Sequence, residues 1–310
     1  MNPKLKVLAA ERGGWFSRAD AQRASYTAGE LRLRVRQGQW LRLSRDMYVD
    51  PADWPAHEQP WERARRLHLL SVHAVISRMG PGAVISHQSA AVLHGLPTWG
   101  LDLSKVHITR PASRTRSDGI TVVHRSPIEA DEIMEISRVR VTTPERTVAE
   151  TASTSSYEVG VVLADSALHR RLVAPAELIA AAERHKHWPG SPRARAAALF
   201  ADGLSESVGE SRLRVLMSNE GLPAPRLQVE IRDRSGRLIA RVDFLLFGNL
   251  IVEFDGAVKY GAGGATVVAE KWREDRLRAL GYRVARVGWT DLDHPRATAD
   301  HLRSLAPGAT

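Results

Sequence analysis

The spacing of apolar positions switches between helical and strand periods along the chain, and those switches divide it into three parts. Residues 4–12 read as a short helix ended by Gly13-Gly14. Ser17 is an N-cap candidate for a helix over 18–25, with Asp20 where a carboxylate favours the helix dipole. Thr27 caps a third helix over 28–37, and Glu30 completes a capping box. That helix buries Ala28, Leu31 and Val35 and carries Arg32, Arg34 and Arg36. After Gly38, Gln39-Trp40-Leu41-Arg42-Leu43 and Asp46-Met47-Tyr48-Val49 alternate like a hairpin, with Arg42 and Arg45 near its tip. Residues 1–60 therefore predict a winged helix-turn-helix followed by a linker containing Pro51, Pro55 and Pro60.

Residues 61–203 predict an α+β middle domain. Its expected parts are helices over 61–79 and 86–96, and strands over 105–109, 119–125 and 139–142. A helix opened by Thr143-Pro144 follows, then Ala-rich helices over 164–200, broken near Pro175 and at Pro189-Gly190. The last part, 204–310, predicts a helix over 206–219 that buries Leu213, Leu216 and Met217. An edge-like strand over 226–231, a hairpin within 238–260, a helix over 269–280 and a strand over 282–287 come next. That order implies a mixed sheet with the helix packed on it, so the fold class is α/β multidomain.

The hairpin, LIARVDFLLFGNLIVEFDGAVKY, carries three carboxylates inside apolar runs: Asp243, Glu253 and Asp255. A carboxylate in a buried strand has to be neutralised, paired or metal-bound. Glu253 and Asp255 share one face through the strand period. A two-residue loop at Gly248-Asn249 would set Asp243 opposite Phe254, on the wrong face; a three-residue loop, Phe247-Gly248-Asn249, sets it opposite Glu253. In the second register one hard cation, Mg²⁺ or Mn²⁺, is the expected guest of Asp243, Glu253 and Asp255.

Composition adds a direction. The net charge is +9, the pI is near 10.3, and Arg greatly outnumbers Lys. Arg forks onto phosphate oxygens, so double-stranded DNA is the expected partner, with a solvated basic surface as the competing reading. Apolar content of 43% and charged content of 25% are ordinary for a soluble globular protein. No apolar run approaches membrane-span length, and the start does not read as a secretory signal. The absence of cysteine rules out disulfides and thiolate metal sites and fits a cytoplasmic location. A bacterial source is expected from the Arg-rich composition.

Two family resemblances accompany these residues. Trp15-Phe16-Ser17-Arg18, Gly38-Gln39-Trp40-Leu41-Arg42-Leu43 and Met47-Tyr48-Val49 resemble the N-terminal domain of the AbiEi antitoxins, which are DNA-binding transcriptional regulators. Ser86-His87-Gln88-Ser89-Ala90-Ala91 with His94-Gly95-Leu96, and Val141-Thr142-Thr143-Pro144-Glu145-Arg146, resemble the middle of such proteins. The resemblance implies contacts to DNA from Arg32, Arg34, Arg36, Arg42 and Arg45, and a toxin partner of unknown identity. Glu210-Ser211-Arg212-Leu213, Val242-Asp243-Phe244, Glu253-Phe254-Asp255-Gly256 and Arg273-Glu274-Asp275-Arg276-Leu277 resemble the PD-(D/E)XK nuclease fold. The nearest likeness is its very-short-patch-repair (Vsr)-like branch, which implies a restriction-endonuclease-like mixed sheet and Mg²⁺-dependent cutting of DNA. It also places Glu210 near the metal. Asp255 stands where that motif has Lys, so Lys259 or Lys271 would supply the ammonium.

Three readings stay open at this level: a DNA endonuclease, a non-catalytic regulator with a degenerate nuclease-fold module, and acids merely paired by Arg241, Lys259 and Arg273. Other motifs carry less. His87 and His94 lie seven apart on one helical face, but no third ligand has zinc spacing, and His68 and His73 are out of register. Core packing is the reading for these histidines, and no zinc is assigned. Ser153-Thr154-Ser155-Ser156 lacks nucleophile-elbow glycines, and Gly261, Gly263 and Gly264 read as a mobile loop, not a phosphate cradle.

Overall fold

The computed structural model describes residues 1–80, 82–111, 116–117, 119–256 and 264–306. The chain divides into two compact units, Met1–Thr154 and Ser155–Thr310.

The first unit opens with α1 (Pro3–Glu11), β1 (Phe16–Ser17), α2 (Arg18–Arg23), α3 (Ala28–Arg36), β2 (Leu41–Ser44) and β3 (Met47–Val49), the strands ordered β1-β3-β2. The expected capping box of Thr27 with Glu30 is present, and Ser17, the expected N-cap, forms a second one with Asp20. Each satisfies backbone N–H groups that a helix start would leave unpaired. Phe16 and Trp40 meet edge-to-face at 4.8 Å, inside a core that includes Leu5, Leu31 and Tyr48. The wing turns at Arg45-Asp46, where Asp46 takes a left-handed φ of 60°.

The rest of this unit comprises α4 (Pro60–Ile76), β4 (Val84–Ile85), α5 (His87–Leu93), β5 (Val106–Thr109), β6 (Arg116–Ser117), β7 (Thr121–His124), β8 (Ile133–Ile136), β9 (Val139–Thr142) and α6 (Pro144–Thr154). The strands form one sheet in the order β6-β7-β5-β4-β9-β8. Within it β5 runs parallel to β7 and β4 parallel to β9. Val72, Ile85, Val106, Ile108 and Val141 form its core.

The second unit begins with α7 (Tyr157–His169), α8 (Pro175–Arg184) and α9 (Ser191–Phe200), broken at the expected prolines. The boundary expected at 203/204 lies inside this unit: Val161 of α7, Ala197 of α9 and Val215 share one apolar cluster. Val215 belongs to α10 (Val208–Asn219). Then come β10 (Arg226–Arg232), β11 (Leu238–Leu246), β12 (Leu250–Asp255), α11 (Gly264–Ala279), β13 (Arg283–Gly288), α12 (Trp289–Leu292) and α13 (Pro295–Ser304). The sheet runs β10-β11-β12-β13, antiparallel up to β12 and parallel between β12 and β13. The expected mixed sheet is therefore present. Leu213 and Met217 of α10 cover one apolar cluster with Phe244 and Val252, while Leu277 of α11 packs with Leu245 and Ile251. Among the described residues no helix is long and apolar enough to cross a membrane.

Candidate nucleic-acid interface and carboxylate centre

The five arginines expected at DNA separate into distinct environments. On α3, Arg32 and Arg36 are exposed, with Leu33 exposed between them. Arg34 turns inward instead. Its guanidinium lies 5.3 Å from the Tyr26 ring centre and 5.2 Å from that of Trp40, and it donates to Gln39 Oε1 at 3.1 Å. Two aromatic faces and an amide oxygen fix that side chain, which makes it a packing residue of the helix. Arg42 and Arg45 are exposed on the wing; Arg42 Nε donates to the Ser44 carbonyl at 3.2 Å and Arg45 lies 3.8 Å from Asp46. Arg78 donates to the Arg45 carbonyl at 2.8 Å, tying down the wing tip.

The hairpin register decides the carboxylate centre. Leu246 pairs with Leu250, Leu245 with Ile251 and Phe244 with Val252, so the loop is Phe247-Gly248-Asn249; the paired register ends there, and continued by one step it would set Asp243 opposite Glu253. This is the three-residue alternative; Phe247 at φ 52° and Gly248 at φ 83° supply its left-handed residues. Strand alternation puts Asp243, Glu253 and Asp255 on the face of Leu245 and Ile251, the side of α11.

Glu210 joins from α10. It is held by Glu206 N–H at 3.0 Å, Ser207 Oγ–H at 2.7 Å and the Gln228 amide at 3.0 Å. Gln228 falls in β10 between the partners of Phe244 and Val242 and takes a left-handed φ of 49°. A non-glycine residue in that region inside a strand is strained and is held there by its surroundings. Gly209 packs face-on against Phe254; a Cβ at position 209 would lie 1.9 Å from the ring. Burial pushes the Glu210 carboxyl above its ordinary range, and the nearby Asp243 charge adds to that. Burial likewise raises Asp243, against the Phe254 N–H that donates to its Oδ2 at 2.8 Å.

The acids already have cationic neighbours. Arg273 on α11 reaches both Glu253 oxygens, at 3.0 and 3.1 Å, and Arg241 forks onto Glu206 at 2.6 and 2.9 Å. Asp255 is half-buried at the end of β12 and Lys271 is exposed on α11. Lys259 and the glycines at 261 and 263 lie outside the described residues, while Gly264 opens α11.

Of the histidines, His68 and His94 are packed as expected. His68 lies 2.9 Å from both the Leu103 carbonyl and Ser89 Oγ, and His94 Nε2 is 2.7 Å from the Thr142 carbonyl. His87 behaves differently: it meets His107 and His124, two strand residues that sequence spacing had not singled out. The usable signal was a histidine in each of two neighbouring strand segments, Val106-His107-Ile108-Thr109 and Val122-Val123-His124. Their adjacency depends on strand order.

Comparison with known proteins bears on the first of these sites. Residues 4–49 match the family described as "Transcriptional regulator, AbiEi antitoxin". This segment contains the whole winged helix-turn-helix, so the chain is similar there to a family of DNA-binding regulators. The chain is 29% identical over 259 residues to Uncharacterized protein Rv2248 of Mycobacterium tuberculosis (strain ATCC 25618 / H37Rv), covering 83% of this chain and 89% of that protein. Uncharacterized protein MT2308 of strain CDC 1551 / Oshkosh matches with the same identity and coverage.

Proposed function

We propose that the protein is a transcriptional regulator that binds double-stranded DNA through its N-terminal winged helix. The carrying observation is the winged helix itself: α3 exposes Arg32 and Arg36, while Arg42 and Arg45 stand on a wing braced by Arg78. An exposed helix of this kind fits the major groove, and wing arginines fit the phosphate backbone. The family match over this segment supports the same reading and extends it to a cognate toxin as a second partner. The test is fluorescence anisotropy on a duplex from the protein's own promoter at several salt concentrations. Arg32→Ala with Arg36→Ala should weaken binding and flatten the salt dependence, by roughly 0.9 in the log–log slope for each phosphate no longer neutralised. Duplex affinity unchanged by the double variant would remove the proposal.

A second reading, a metal-dependent DNA endonuclease in the second unit, is favoured by the register that would set Asp243 opposite Glu253, with Glu210 alongside. The order helix, antiparallel meander, helix, parallel strand supports a PD-(D/E)XK-like reading of this unit. Mg²⁺ or Mn²⁺ suits oxygen donors, and it would relieve the repulsion between Asp243 and Glu210. Asp243, Glu253 and Asp255 would hold it only after closing together, because among the described residues no three carboxylates present oxygens within 4.8 Å of one another; when bound it would supply a Lewis acid and an acidified water. Arg273 Nη2 lies against both Glu253 oxygens, so cation entry requires that one nitrogen to let go. Lys271, exposed two residues earlier on α11, is the candidate for the positive role at the phosphate, with Lys259. Metal-dependent nicking of plasmid by wild type, abolished in Asp243→Ala and Glu253→Ala, is the expected result. Equal activity in all three leaves the regulator alone.

A further inference from the structure

We propose that His87, His107 and His124 form a binding site for one zinc-class divalent ion, with the fourth coordination position open to solvent. The topology builds the site from three elements. Strands β5 and β7 are adjacent and parallel, with Thr109 paired to His124, so alternation puts His107 and His124 on one face of the sheet. Helix α5 begins at His87 and brings a third imidazole to them. The His87 and His124 rings stack at 3.7 Å, so one of them has to turn edge-on to aim its in-plane lone pair at a shared ion, and His107 Nδ1 lies 2.9 Å from His124 Nε2. One nitrogen from each residue falls within 4.8 Å of the other two. A tetrahedral ion at Zn–N distances of about 2.0–2.1 Å needs nitrogens about 3.3 Å apart, a value inside this range.

The outer atoms aim the imidazoles. Ser86 Oγ is 3.0 Å from His87 Nδ1, and the Gln88 amide nitrogen is 2.8 Å from His107 Nε2. That leaves His87 Nε2, His107 Nδ1 and His124 Nε2 for the cation. Behind His87 stands Glu150, whose Oε2 accepts the His87 backbone N–H at 3.1 Å and lies 3.6 Å from Nδ1. Arg146, fully buried, holds Glu150 and also Glu132. The outer hydrogen bond of the His87 ring is to Ser86 Oγ, and Glu150 fixes the residue through its backbone N–H. The backbone adds an independent sign: His87 takes a left-handed φ of 52°, a strained conformation for a non-glycine residue.

The donor set selects the ion. Three imidazole nitrogens suit Zn²⁺, Co²⁺ or Ni²⁺ far better than Mg²⁺. His87 is buried, whereas His107 and His124 are partly exposed, which gives the fourth position its opening. Burial keeps all three rings neutral, the form that ligates. Binding at His107 Nδ1 moves that ring's proton to Nε2, and Gln88 then turns its amide oxygen to accept it. No proton leaves the protein in this step.

The test uses the full-length protein, stripped with a chelator and titrated calorimetrically with Zn²⁺ and spectroscopically with Co²⁺. The expected result is one equivalent of Zn²⁺ and tetrahedral Co²⁺ ligand-field bands that Zn²⁺ displaces. His107→Ala and His124→Ala should lose those bands, and Gln88→Ala should weaken Zn²⁺ binding by about 10–100-fold. Wild-type protein that takes up no Zn²⁺ overturns the proposal, as does uptake that persists unchanged in both histidine variants. The wild-type Co²⁺ spectrum needs no variant to fold, so an octahedral spectrum is equally decisive against it.

Discussion

Each unit of the chain carries a polar cluster built on a pair of neighbouring strands, and the two clusters are opposite in charge logic. In the first unit β5 and β7 present imidazoles, which burial holds neutral. In the second, β11 and β12 present carboxylates, which Arg273 and a backbone N–H compensate. Strand alternation is the same device in both. What differs is how burial acts on the donor: it makes imidazole ready to ligate, and it makes a carboxylate ask for a partner.

The largest test of that contrast concerns how deeply each cluster's arginine is buried. Arg146→Ala should destabilise the protein by about 3–5 kcal/mol in denaturant unfolding, because Glu132 and Glu150 are left buried without their cation. Arg273 is one-third exposed, so Arg273→Ala should cost only about 1 kcal/mol or less. Similar destabilisation by the two would break the comparison. Next in size, Gly209→Ala drives a methyl into the Phe254 ring and should cost about 1–3 kcal/mol by the same measurement.

Asp243→Asn sharpens the contrast further. It removes one of two neighbouring like charges, so the melting temperature in chelator should rise, while any stabilisation by added Mg²⁺ should disappear. Titration should also differ in sign between buried imidazoles and a buried carboxyl. Burial depresses His68 and His94 below 6.5, so their contribution is present above that pH and is lost on acidification through their folded values. Burial raises Asp165 from 3.8 to about 6, so its contribution is full below 3.8 and is lost as pH rises through about 6. Melting temperature against pH, compared with Asp165→Asn and His94→Gln, reads both slopes. The smallest effect is Arg34→Ala, which removes the guanidinium from the Tyr26 and Trp40 rings. It should cost about 0.5–1 kcal/mol of stability and leave the salt slope of DNA binding intact.

How far the sequence reached depends on the range of the force involved. The two capping boxes, the proline breaks and the winged-helix order follow from local rules, and the structure has them. The three-residue loop was also within reach as one of two alternatives, because loop length and alternation together set the Phe244–Val252 register. Arg34 was not, since its inward turn depends on Tyr26 and Trp40 closing around it. Strand β8 escaped notice because Met134 and Glu135 face water and its order comes from pairing with β9. The meeting of His107 with His124 is a matter of strand order, which no local pattern encodes. Gln228 is similar: nothing in Arg226-Leu227-Gln228-Val229 announces a left-handed residue that reaches Glu210.

The absent side chain at position 209 has a consequence for how this protein can change over time. Phe254 fills the volume that a substituent there would need, so the two sites form a single steric unit with one volume to share. Drift at either should be matched by the other, a bulkier residue at 209 arriving only with a slimmer one at 254. Anyone reshaping the acid-bearing end of β12 will have to alter α10 in the same step.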